Sequence, residues 1–306
     1  MKTLIIVFSQ TGYTRRTAER IRDGILSVAG QCDLVELAHA QPTAFHDYDL
    51  IGLGCPVFYY QEPFHVADFV EALPKQNRKH WFAFCSHGSA VGVTLFSLSR
   101  RLKNKGAHIV GTFDIYADAC APFIPYPTLT TGHPDELDYQ TARVFGCEVA
   151  ERTERFLRGE RPFVPEPRQP ETEWVQNAQI LTPDTIRKVT PSLSVDRGRC
   201  TFCGACEQNC PVRGIDVRAE PPRIQDPCIF CFRCVMVCPT LAIQGDWTSL
   251  VANNRAHYAR LRKWLDEAEA RGEFRWLIDP NSIDFDDYMH KQRERALATR
   301  EKATNR

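Results

Sequence analysis

The sequence CTFCGACEQNCP, from Cys200 to Pro211, returns in closely matched form as CIFCFRCVMVCP, from Cys228 to Pro239. Each run has the spacing C-x2-C-x2-C-x3-C-P, and together the runs hold eight of the thirteen cysteines of the chain. A clustering this dense does not arise by chance. Because thiolates are soft metal ligands, the two runs predict a small metal-binding domain with two related loops.

The spacing resembles that of the bacterial ferredoxins that carry two [4Fe–4S] clusters. In these proteins the first three cysteines of a run bind one cluster, whereas the fourth binds the other cluster. The resemblance implies that the ligands of the first cluster are Cys200, Cys203, Cys206 and Cys238. It implies that those of the second cluster are Cys228, Cys231, Cys234 and Cys210. The proline after each fourth cysteine ends the turn, because proline lacks an amide donor.

Two other uses of clustered cysteines compete with iron–sulfur ligation. A disulfide framework belongs to secreted chains, and the sequence indicates no export signal. Structural zinc usually takes paired C-x2-C units and has no use for a third cysteine at the same spacing. The pattern therefore favours two clusters, while Cys120 and Cys147 lie outside the arrangement.

The composition is that of an ordinary folded protein. The chain has 306 residues, of which 43% are hydrophobic and 25% charged, enough for two domains with packed cores. Its formal net charge of zero argues against nucleic acid as a partner. The apolar run at 4–8 is too short for an export signal, and no stretch approaches the length of a membrane span. Together with the many cysteines, this predicts a cytoplasmic protein in a reducing compartment.

The first half of the chain alternates short apolar runs with segments of helical periodicity. The pattern predicts strands at 2–8, 32–37, 48–54, 80–85 and 107–116. It predicts helices at 14–28, 63–73, 91–105 and from 132–136 to about 157, the last with Pro134 at its first position. Strands separated by helices form an open parallel sheet covered on both faces. Ligands bind such sheets beyond the carboxyl ends of the strands.

The loop after the first predicted strand is rich in hydroxyl groups. Its sequence is Ser9-Gln10-Thr11-Gly12-Tyr13-Thr14. Hydroxyls and backbone amides at a helix amino terminus suit a phosphate monoester, and the absence of lysine excludes a nucleotide-triphosphate loop. The loop resembles the flavodoxin phosphate loop, S/T-x-T-G-x-T, which binds the phosphate of flavin mononucleotide (FMN). An ordinary helix cap of Ser and Thr is the simpler alternative.

Two further loops are expected at the same edge of the sheet. One is Pro56-Val57-Phe58-Tyr59-Tyr60, and the other is Ser86-His87-Gly88-Ser89. Three aromatic rings offer a flat surface for an isoalloxazine ring, although packing against the next helix is an alternative for any one of them. His87 stands where flavodoxins often have an aromatic residue, so we expect it to stack on the flavin. No proton-donating role is assumed for it.

These loops, the helix start at 132–136 and the two cysteine runs together resemble the flavodoxin–ferredoxin fusion flavoproteins over residues 1 to about 245. The resemblance implies an α/β flavodoxin-like five-stranded parallel sheet of order 2-1-3-4-5 that binds FMN. It also implies a small α+β ferredoxin domain with two [4Fe–4S] clusters. The expected ranges are 1–158 for the FMN domain, 159–195 for a linker, 196–246 for the ferredoxin domain and 247–306 for a helical extension, which departs from the family.

The linker and the extension have their own patterns. Six prolines between 158 and 191 predict an extended connector rather than a long helix. Segment 249–271 has one apolar stripe at helical spacing. The polar end at 290–306 predicts a solvated helix or a frayed terminus, with a docking arm for an acidic redox partner as the alternative.

A flavin exchanges one or two electrons and a cluster exchanges one, so the combination predicts an electron-transfer flavoprotein that converts between the two modes. Its expected partner is an external redox protein, either a ferredoxin-type donor or an acceptor enzyme, and a homodimer stays open. The first alternative is an FMN-dependent reductase of a small molecule, with His87, Tyr59, Cys55 and Cys85 lining the substrate. The second is a redox sensor, although no DNA-binding pattern supports a transcriptional form. No G-x-G-x-x-G fingerprint is present, and no catalytic residue is assigned.

Overall fold

The chain forms two compact units in the computed structural model, which describes residues 1–220, 222–224 and 227–304. The first unit comprises Met1–Asp118 and Gly132–Ile180, and the second comprises Ala119–Thr131 and Leu181–Arg306. These limits differ from the expected ranges. Segment 119–131 groups with the second unit, the expected linker is divided between the two units, and the extension groups with the expected ferredoxin domain.

The first unit is built on one parallel sheet. Its strands are β1 (Lys2–Val7), β2 (Gln31–Glu36), β3 (Leu50–Pro56), β4 (His80–His87) and β5 (His108–Tyr116). They lie in the order β2-β1-β3-β4-β5, and every neighbouring pair is parallel. This flavodoxin-like order confirms the predicted fold class. It brings the carboxyl ends of β1, β3 and β4 to the centre of one edge of the sheet.

Helices cover both faces of this sheet. They are α1 (Tyr13–Val28), α2 (Phe64–Ala72), α3 (Thr94–Asn104) and α4 (Glu136–Leu157). Alternate residues of a strand point to opposite faces, so Ile5 packs in the layer with α1 and α4, whereas Ile6 packs in the layer with α2 and α3. Both side chains are fully buried. Burial on both faces explains why β1 reads as a continuous apolar run.

The first turn of α4 is closed by a capping box. The Asp138 amide donates to Asp135 Oδ1 at 3.1 Å, and the Asp135 amide donates to Asp138 Oδ2 at 2.9 Å. Helix α4 therefore begins after Asp135, and Pro134 precedes the cap instead of occupying the predicted first helical position. His133 Nδ1 also bonds Asp138 Oδ2, at 2.6 Å, and its ring is buried. The box fixes where the chain enters the long helix.

Replacing Asp138 by asparagine should lower the free energy of unfolding of the first unit by about 1–2 kcal/mol. Burial raises the pKa of Asp138, but the hydrogen bonds from His133 and from the Asp135 amide lower it by a larger amount. The net pKa is therefore below the ordinary 3.8. A depressed pKa in the folded state stabilises the fold above the ordinary pKa, and this stability is lost as the pH falls below it. Urea unfolding at pH 7 measures the effect. Glu136→Gln, an exposed change in the same turn, is the control, and an equal loss there would contradict the assignment.

The expected linker contains two short helices, α5 (Thr172–Ile180) and α6 (Pro183–Val189). Pro183 occupies the first turn of α6, where the missing amide is tolerated, and Thr182 caps the helix. The connector is thus not extended throughout. The prolines limit the length of its helices without preventing them.

The second unit contains two copies of one small motif. In chain order its elements are β6 (Ser194–Val195), α7 (Ala205–Gln208), β7 (Ile215–Asp216), β8 (Arg223–Ile224), α8 (Arg233–Val237) and β9 (Ile243–Gln244). Strand β6 pairs antiparallel with β9, and β7 pairs antiparallel with β8. Each strand of one copy therefore pairs with a strand of the other copy. Val217, Val235 and Ile243 form the shared apolar core with Trp247.

Segment 119–131, which follows β5 in the chain, packs within the second unit. The Phe123 ring lies edge-to-face against Phe232, with centroids 5.9 Å apart, and Asn254 Nδ2 donates to the Phe123 carbonyl at 2.6 Å. The Tyr126 ring stacks on His290, with centroids 3.8 Å apart. These contacts make the segment part of the shell around the cysteine runs.

The extension forms three helices, α9 (Thr248–Ala252), α10 (Asn254–Ala270) and α11 (His290–Thr304). Gln292 and Ala296 on α11 are buried, and this helix packs beside α8. The first half of α11 is therefore not the solvated helix predicted from its polar sequence. Residues 305 and 306, the end of that predicted segment, lie outside the described residues. No helix in the described part of the chain is both long and apolar enough to cross a bilayer.

Candidate functional site

The loop between β1 and α1 gathers backbone amides around one oxygen atom. The amides of Gly12 and Arg15 both donate to Ser9 Oγ, each at 3.2 Å. Gly12 has a φ of 93°, a left-handed conformation that favours glycine, and it ends the loop where α1 begins. Amides that converge at a helix amino terminus form a site for an oxyanion. The loop therefore fits the phosphate group of FMN.

Two arginines lie next to this loop. Arg15 forms ion pairs with Glu19 and Glu36, and Arg16 Nε donates to the Tyr139 hydroxyl at 3.0 Å. The Arg16 guanidinium nevertheless stays beside the loop, because it lies over the Tyr13 ring, 4.7 Å from the ring centroid. The loop thus offers amides and hydroxyls with one cation next to them, a set that suits a phosphate monoester.

The end of β4 is tied directly to the phosphate loop. Thr14 Oγ1 and Ser86 Oγ lie 2.7 Å apart, and both residues are buried. The Ser86 carbonyl accepts from the Val57 amide at 2.9 Å, which connects β4 with the loop after β3. The three predicted loops therefore meet at the carboxyl ends of β1, β3 and β4.

The aromatic loop after β3 is a tight hairpin with an unusual backbone. Phe58 and Gln61 form an antiparallel bridge around Tyr59 and Tyr60, which have φ values of 52° and 64°. A two-residue hairpin turn of this kind requires left-handed backbone, normally supplied by glycine or asparagine. Bulky residues held in this region cluster at functional sites. The strain is consistent with a loop whose rings serve a ligand.

The loops after β3 and β4 also approach each other closely through Gly92. The Val93 amide donates to the Tyr60 carbonyl at 2.8 Å, and Gly92 has a φ of 61°. A Cβ atom at position 92 would lie 1.9 Å from the Tyr60 oxygen, so only glycine fits. The Tyr60 ring packs on Trp174 of α5, with centroids 4.7 Å apart. One of the three predicted aromatic rings is thus engaged by the connector.

His87 does not present an open ring face. Its side chain is 1% exposed, and Nε2 lies 3.0 Å from Asp114 Oδ2 on β5. Nδ1 lies 3.1 Å from the Gly88 carbonyl, and the ring packs against Tyr116 with centroids 4.6 Å apart. The ring therefore faces β5, and the expected stacking on flavin would require it to turn. The neighbouring Gly88 and Ser89 remain the candidates for contact through their backbone.

Cys55 and Cys85 lie inside the first unit rather than at its surface. They are register partners on β3 and β4, and both are fully buried in the apolar layer. Burial raises the pKa of both thiols well above the ordinary value. The expectation that these thiols line a substrate site is therefore wrong, because solvent and substrate do not reach them.

The eight cysteines of the two runs surround two cavities in the second unit. The larger cavity, cavity two, has a volume of about 160 Å³ and is lined by Cys210, Cys228, Cys231 and Cys234. The smaller cavity, cavity one, has a volume of about 20 Å³ and is lined by Cys200, Cys203, Cys206 and Cys238. The fourth cysteine of each run thus lies with the first three of the other run. This is the exchange implied by the ferredoxin spacing.

Burial alone would keep several of these cysteines protonated. It raises the pKa of Cys231 to about 12, and the neighbouring Cys228 and Cys210 add to the effect. It raises the pKa of Cys206 to about 11, with a smaller contribution from Cys238. Cysteine binds metal as the thiolate, so this donor set needs a positively charged group at each cavity to favour loss of the thiol protons.

Backbone amides already point at the cysteine sulfurs. The Gly214 amide donates to Cys210 Sγ at 3.1 Å, and the Ala242 amide donates to Cys238 Sγ at 3.1 Å. Amide donors of this kind stabilise negative charge on sulfur and tune cluster potentials. In the described ranges no three Cys, His, Asp or Glu side chains are placed to hold a single metal ion. Four cysteines at each cavity match the donor set of a [4Fe–4S] cube, in which each thiolate binds a different iron.

Comparison with known families assigns both halves of this arrangement. A family model described as a 4Fe-4S dicluster domain matches residues 192–239, and a model described as a flavodoxin domain matches residues 4–93. The chain therefore combines a flavodoxin domain with an iron–sulfur domain of the dicluster class. The flavodoxin domain implies FMN, and the second domain implies iron–sulfur clusters. This combination is that of an electron-transfer flavoprotein and fits the flavodoxin–ferredoxin fusion predicted from the motifs.

Individual relatives cover the flavodoxin half. An uncharacterised protein of Methanocaldococcus jannaschii is 27% identical over 158 residues, which are 49% of this chain and 98% of that protein. A solved flavodoxin from the domain Archaea is 21% identical with a TM-score of 0.43, over 50% of this chain and 99% of its own. The flavodoxin of Megasphaera elsdenii is 20% identical with a TM-score of 0.40, over 49% of this chain and 98% of its own.

Proposed function

We propose that this protein is an electron carrier that passes electrons among FMN, two [4Fe–4S] clusters and an external redox protein. The observation that carries the proposal is the placement of two crossed sets of four cysteines around two cavities, in a chain that also has a flavodoxin phosphate loop. FMN supplies one- and two-electron chemistry when bound, and the clusters supply one-electron chemistry. No membrane-spanning helix lies in the described residues, and the many thiols suit the reducing cytoplasm.

The chain's own residues would hold and shield these groups. The hydroxyls of the phosphate loop and the amides of Gly12 and Arg15 would bind the FMN phosphate. The predicted contacts with FMN are Ser9, Gln10, Thr11, Gly12, Tyr13 and Thr14 at the phosphate, and Pro56, Val57, Phe58, Tyr59, Tyr60, Ser86, Gly88 and Ser89 at the rest of the molecule. His87 was predicted with them, but its ring would have to turn away from Asp114 to stack on the flavin. No acid–base group is needed for electron transfer itself.

Several observations support a carrier over a small-molecule reductase. Cys55 and Cys85 are buried, and His87 is turned toward Asp114. The Tyr60 ring is covered by Trp174, which narrows the surface left for a substrate beside the aromatic loop. The partner is therefore proposed to be another redox protein. On the second unit, Cys203 and the neighbouring Phe202 are exposed, so the rim of cavity one is the proposed point of contact.

Metal and flavin analysis of the anaerobically purified protein tests the proposal. We expect about eight iron, eight acid-labile sulfide and one FMN per chain, because two cubes require this ratio. Iron and sulfide are measured colorimetrically, and the flavin is identified after extraction. Stoichiometric zinc with little iron would contradict the cluster assignment, and a preparation with full iron but no affinity for FMN would contradict the flavin half alone.

A further inference from the structure

Equivalent residues around the two cysteine cavities have the same backbone conformation. The amide–sulfur hydrogen bonds from Gly214 to Cys210 and from Ala242 to Cys238 occupy equivalent positions and have the same length, 3.1 Å. Three further pairs of equivalent residues share left-handed torsions, namely Phe202 with Phe230, Gly204 with Phe232, and Arg213 with Leu241. The repeat therefore serves as an internal reference. Beyond these matched features, the Phe230 amide donates to Cys228 Sγ at 3.4 Å, and Cys238 Sγ lies 3.7 Å from the Thr240 hydroxyl, whose equivalent is Val212.

Cavity two is lined by positive charge. The charged residues among the described ones that line it are Arg187 and Arg233. Arg233 is held in place because its Nη2 donates to Asn209 Oδ1 at 3.2 Å, beside Cys210. Arg187 lies over the Phe230 ring, 5.3 Å from its centroid. Burial lowers the pKa of Arg233, but an arginine keeps its charge in proteins.

Cavity one has the opposite character. No charged residue lines it in the described ranges, and the nearest fixed charge in its sequence run is Glu207, directly after Cys206. Glu207 Oε1 accepts from the amide of Val217, a lining residue, at 2.9 Å. Arg197 also bonds the Val217 carbonyl, but its charge is paired with Glu220 at 2.9 Å. Arg199, next to Cys200, is likewise paired with Asp196, so of these charged residues around cavity one the carboxylate of Glu207 is the one with no ion pair in the described part of the chain.

The repeat shows that both charges are departures from its common pattern. The residue equivalent to Arg233 in the first run is Ala205, and the residue equivalent to Glu207 in the second run is Val235. Each cavity thus carries a charge of one sign at a position where the other cavity has an aliphatic side chain. These charges are of opposite sign, and they add to the other differences between the two surroundings, namely the contacts of Cys228 and Cys238 with the Phe230 amide and the Thr240 hydroxyl, and Arg213 in place of Leu241.

We infer that Arg233 and Glu207 order the potentials of the two clusters, so that the first electron taken up by the second unit rests at cavity two. The inference rests on the proposed function, because it needs a cluster in each cavity. Reduction adds a negative charge, which a nearby cation stabilises and a nearby carboxylate opposes, and net charge is one of the factors that set cluster potentials. The two residues act as positioning residues, since they tune the site without binding the metal. Electrons would then pass from cavity one, where Cys203 is exposed, to cavity two, where the reduction potential is higher.

The experiment is a reductive titration of the holoprotein followed by electron paramagnetic resonance, with Arg233→Gln, Arg233→Lys and Glu207→Gln beside the unchanged protein. We expect two resolved one-electron steps. Arg233→Gln should lower the reduction potential of the higher-potential step alone. The equilibrium constant for electron exchange between the clusters should change by about tenfold, or 59 mV for a one-electron couple. Glu207→Gln keeps an oxygen to accept from Val217 but loses the charge, so it should raise only the lower step. Arg233→Lys should leave both steps close to their original values, because the cation is kept.

The outcomes separate this inference from the proposed function. If iron and sulfide are complete but Arg233→Gln and Glu207→Gln shift the same step, or neither shifts one, the ordering is refuted while the clusters stand. An equal shift in Arg233→Gln and Arg233→Lys would indicate a structural role for the side chain, because the lysine keeps the charge, and this outcome also overturns the inference. Absence of iron in the unchanged protein would refute the proposed function itself.

Discussion

Replacing Cys210 by alanine should remove the cluster of the second run and spare the cluster of the first run. Cys210 belongs to the first run in sequence, yet its sulfur lines cavity two with Cys228, Cys231 and Cys234. A cube that loses one of four thiolates is no longer held on all its irons, so iron should fall from about eight to about four per chain. Iron and sulfide analysis measures the loss, and bound FMN reports that the first unit has folded.

Paired variants decide which cluster is lost. The electron paramagnetic resonance spectrum of reduced Cys210→Ala should match that of Cys231→Ala. The spectrum of Cys238→Ala should match that of Cys203→Ala. Cys120→Ala and Cys147→Ala are the controls, since both cysteines lie outside the runs, and these variants should keep all the iron. A Cys210→Ala spectrum that matches Cys203→Ala instead would show that each run builds its own cluster, contrary to the arrangement of the cavities.

Local patterns were sufficient to predict the sheet of the first unit and the four helices that cover it, but not α5, which lies in the predicted extended connector. The five strands, the four helices that cover them and the order of the sheet follow from apolar runs and helical periodicity together with the flavodoxin-like phosphate loop. Such signals are local, because burial on one or two faces produces an apolar pattern within a short stretch of sequence. The cysteine spacing also carries long-range information, since the fourth cysteine of each run lines the cavity of the other run.

Contacts between distant segments left no comparable signal. Segment 119–131 packs in the second unit through Phe123 and Tyr126, but nothing in its composition distinguishes it from an ordinary loop. The pair of His87 with Asp114 was missed for a related reason. Asp114 lies within a strand whose outward-facing residues are often polar, and only the register of β4 and β5 places it against the histidine.

Side-chain burial in α11 shows the same limit. The polar composition of 290–306 predicted a solvated end, yet Gln292 and Ala296 are buried. A helix with few apolar residues is attached through single small or polar side chains rather than through an apolar stripe. Its partner helix α8 carries Arg233 beside cavity two, so the extension contributes to the surroundings of the proposed cluster. That contribution follows from packing and is not visible in the sequence.

Replacing Ser9 by aspartate should weaken FMN binding by at least about a hundredfold, which is ~2.7 kcal/mol, while leaving riboflavin binding unchanged. Ser9 Oγ lies where the amides of Gly12 and Arg15 converge, so a carboxylate at this position would occupy the proposed phosphate site and repel the phosphate dianion. Riboflavin has the same ring system without the phosphate and therefore reports on the aromatic loops alone. Quenching of flavin fluorescence measures both affinities.

The matched control for this charge is Thr43→Asp, an exposed change in the segment between β2 and β3 of the same unit, and it should leave both affinities unchanged. Ser9→Ala removes one hydroxyl but adds no charge, so its effect on FMN should be smaller, about tenfold or less. A parallel loss of FMN and riboflavin affinity in Ser9→Asp would show that the loop shapes the ring site rather than holding the phosphate. A loss confined to FMN distinguishes an anion site from an ordinary helix cap, because a cap has no reason to discriminate between the two flavins.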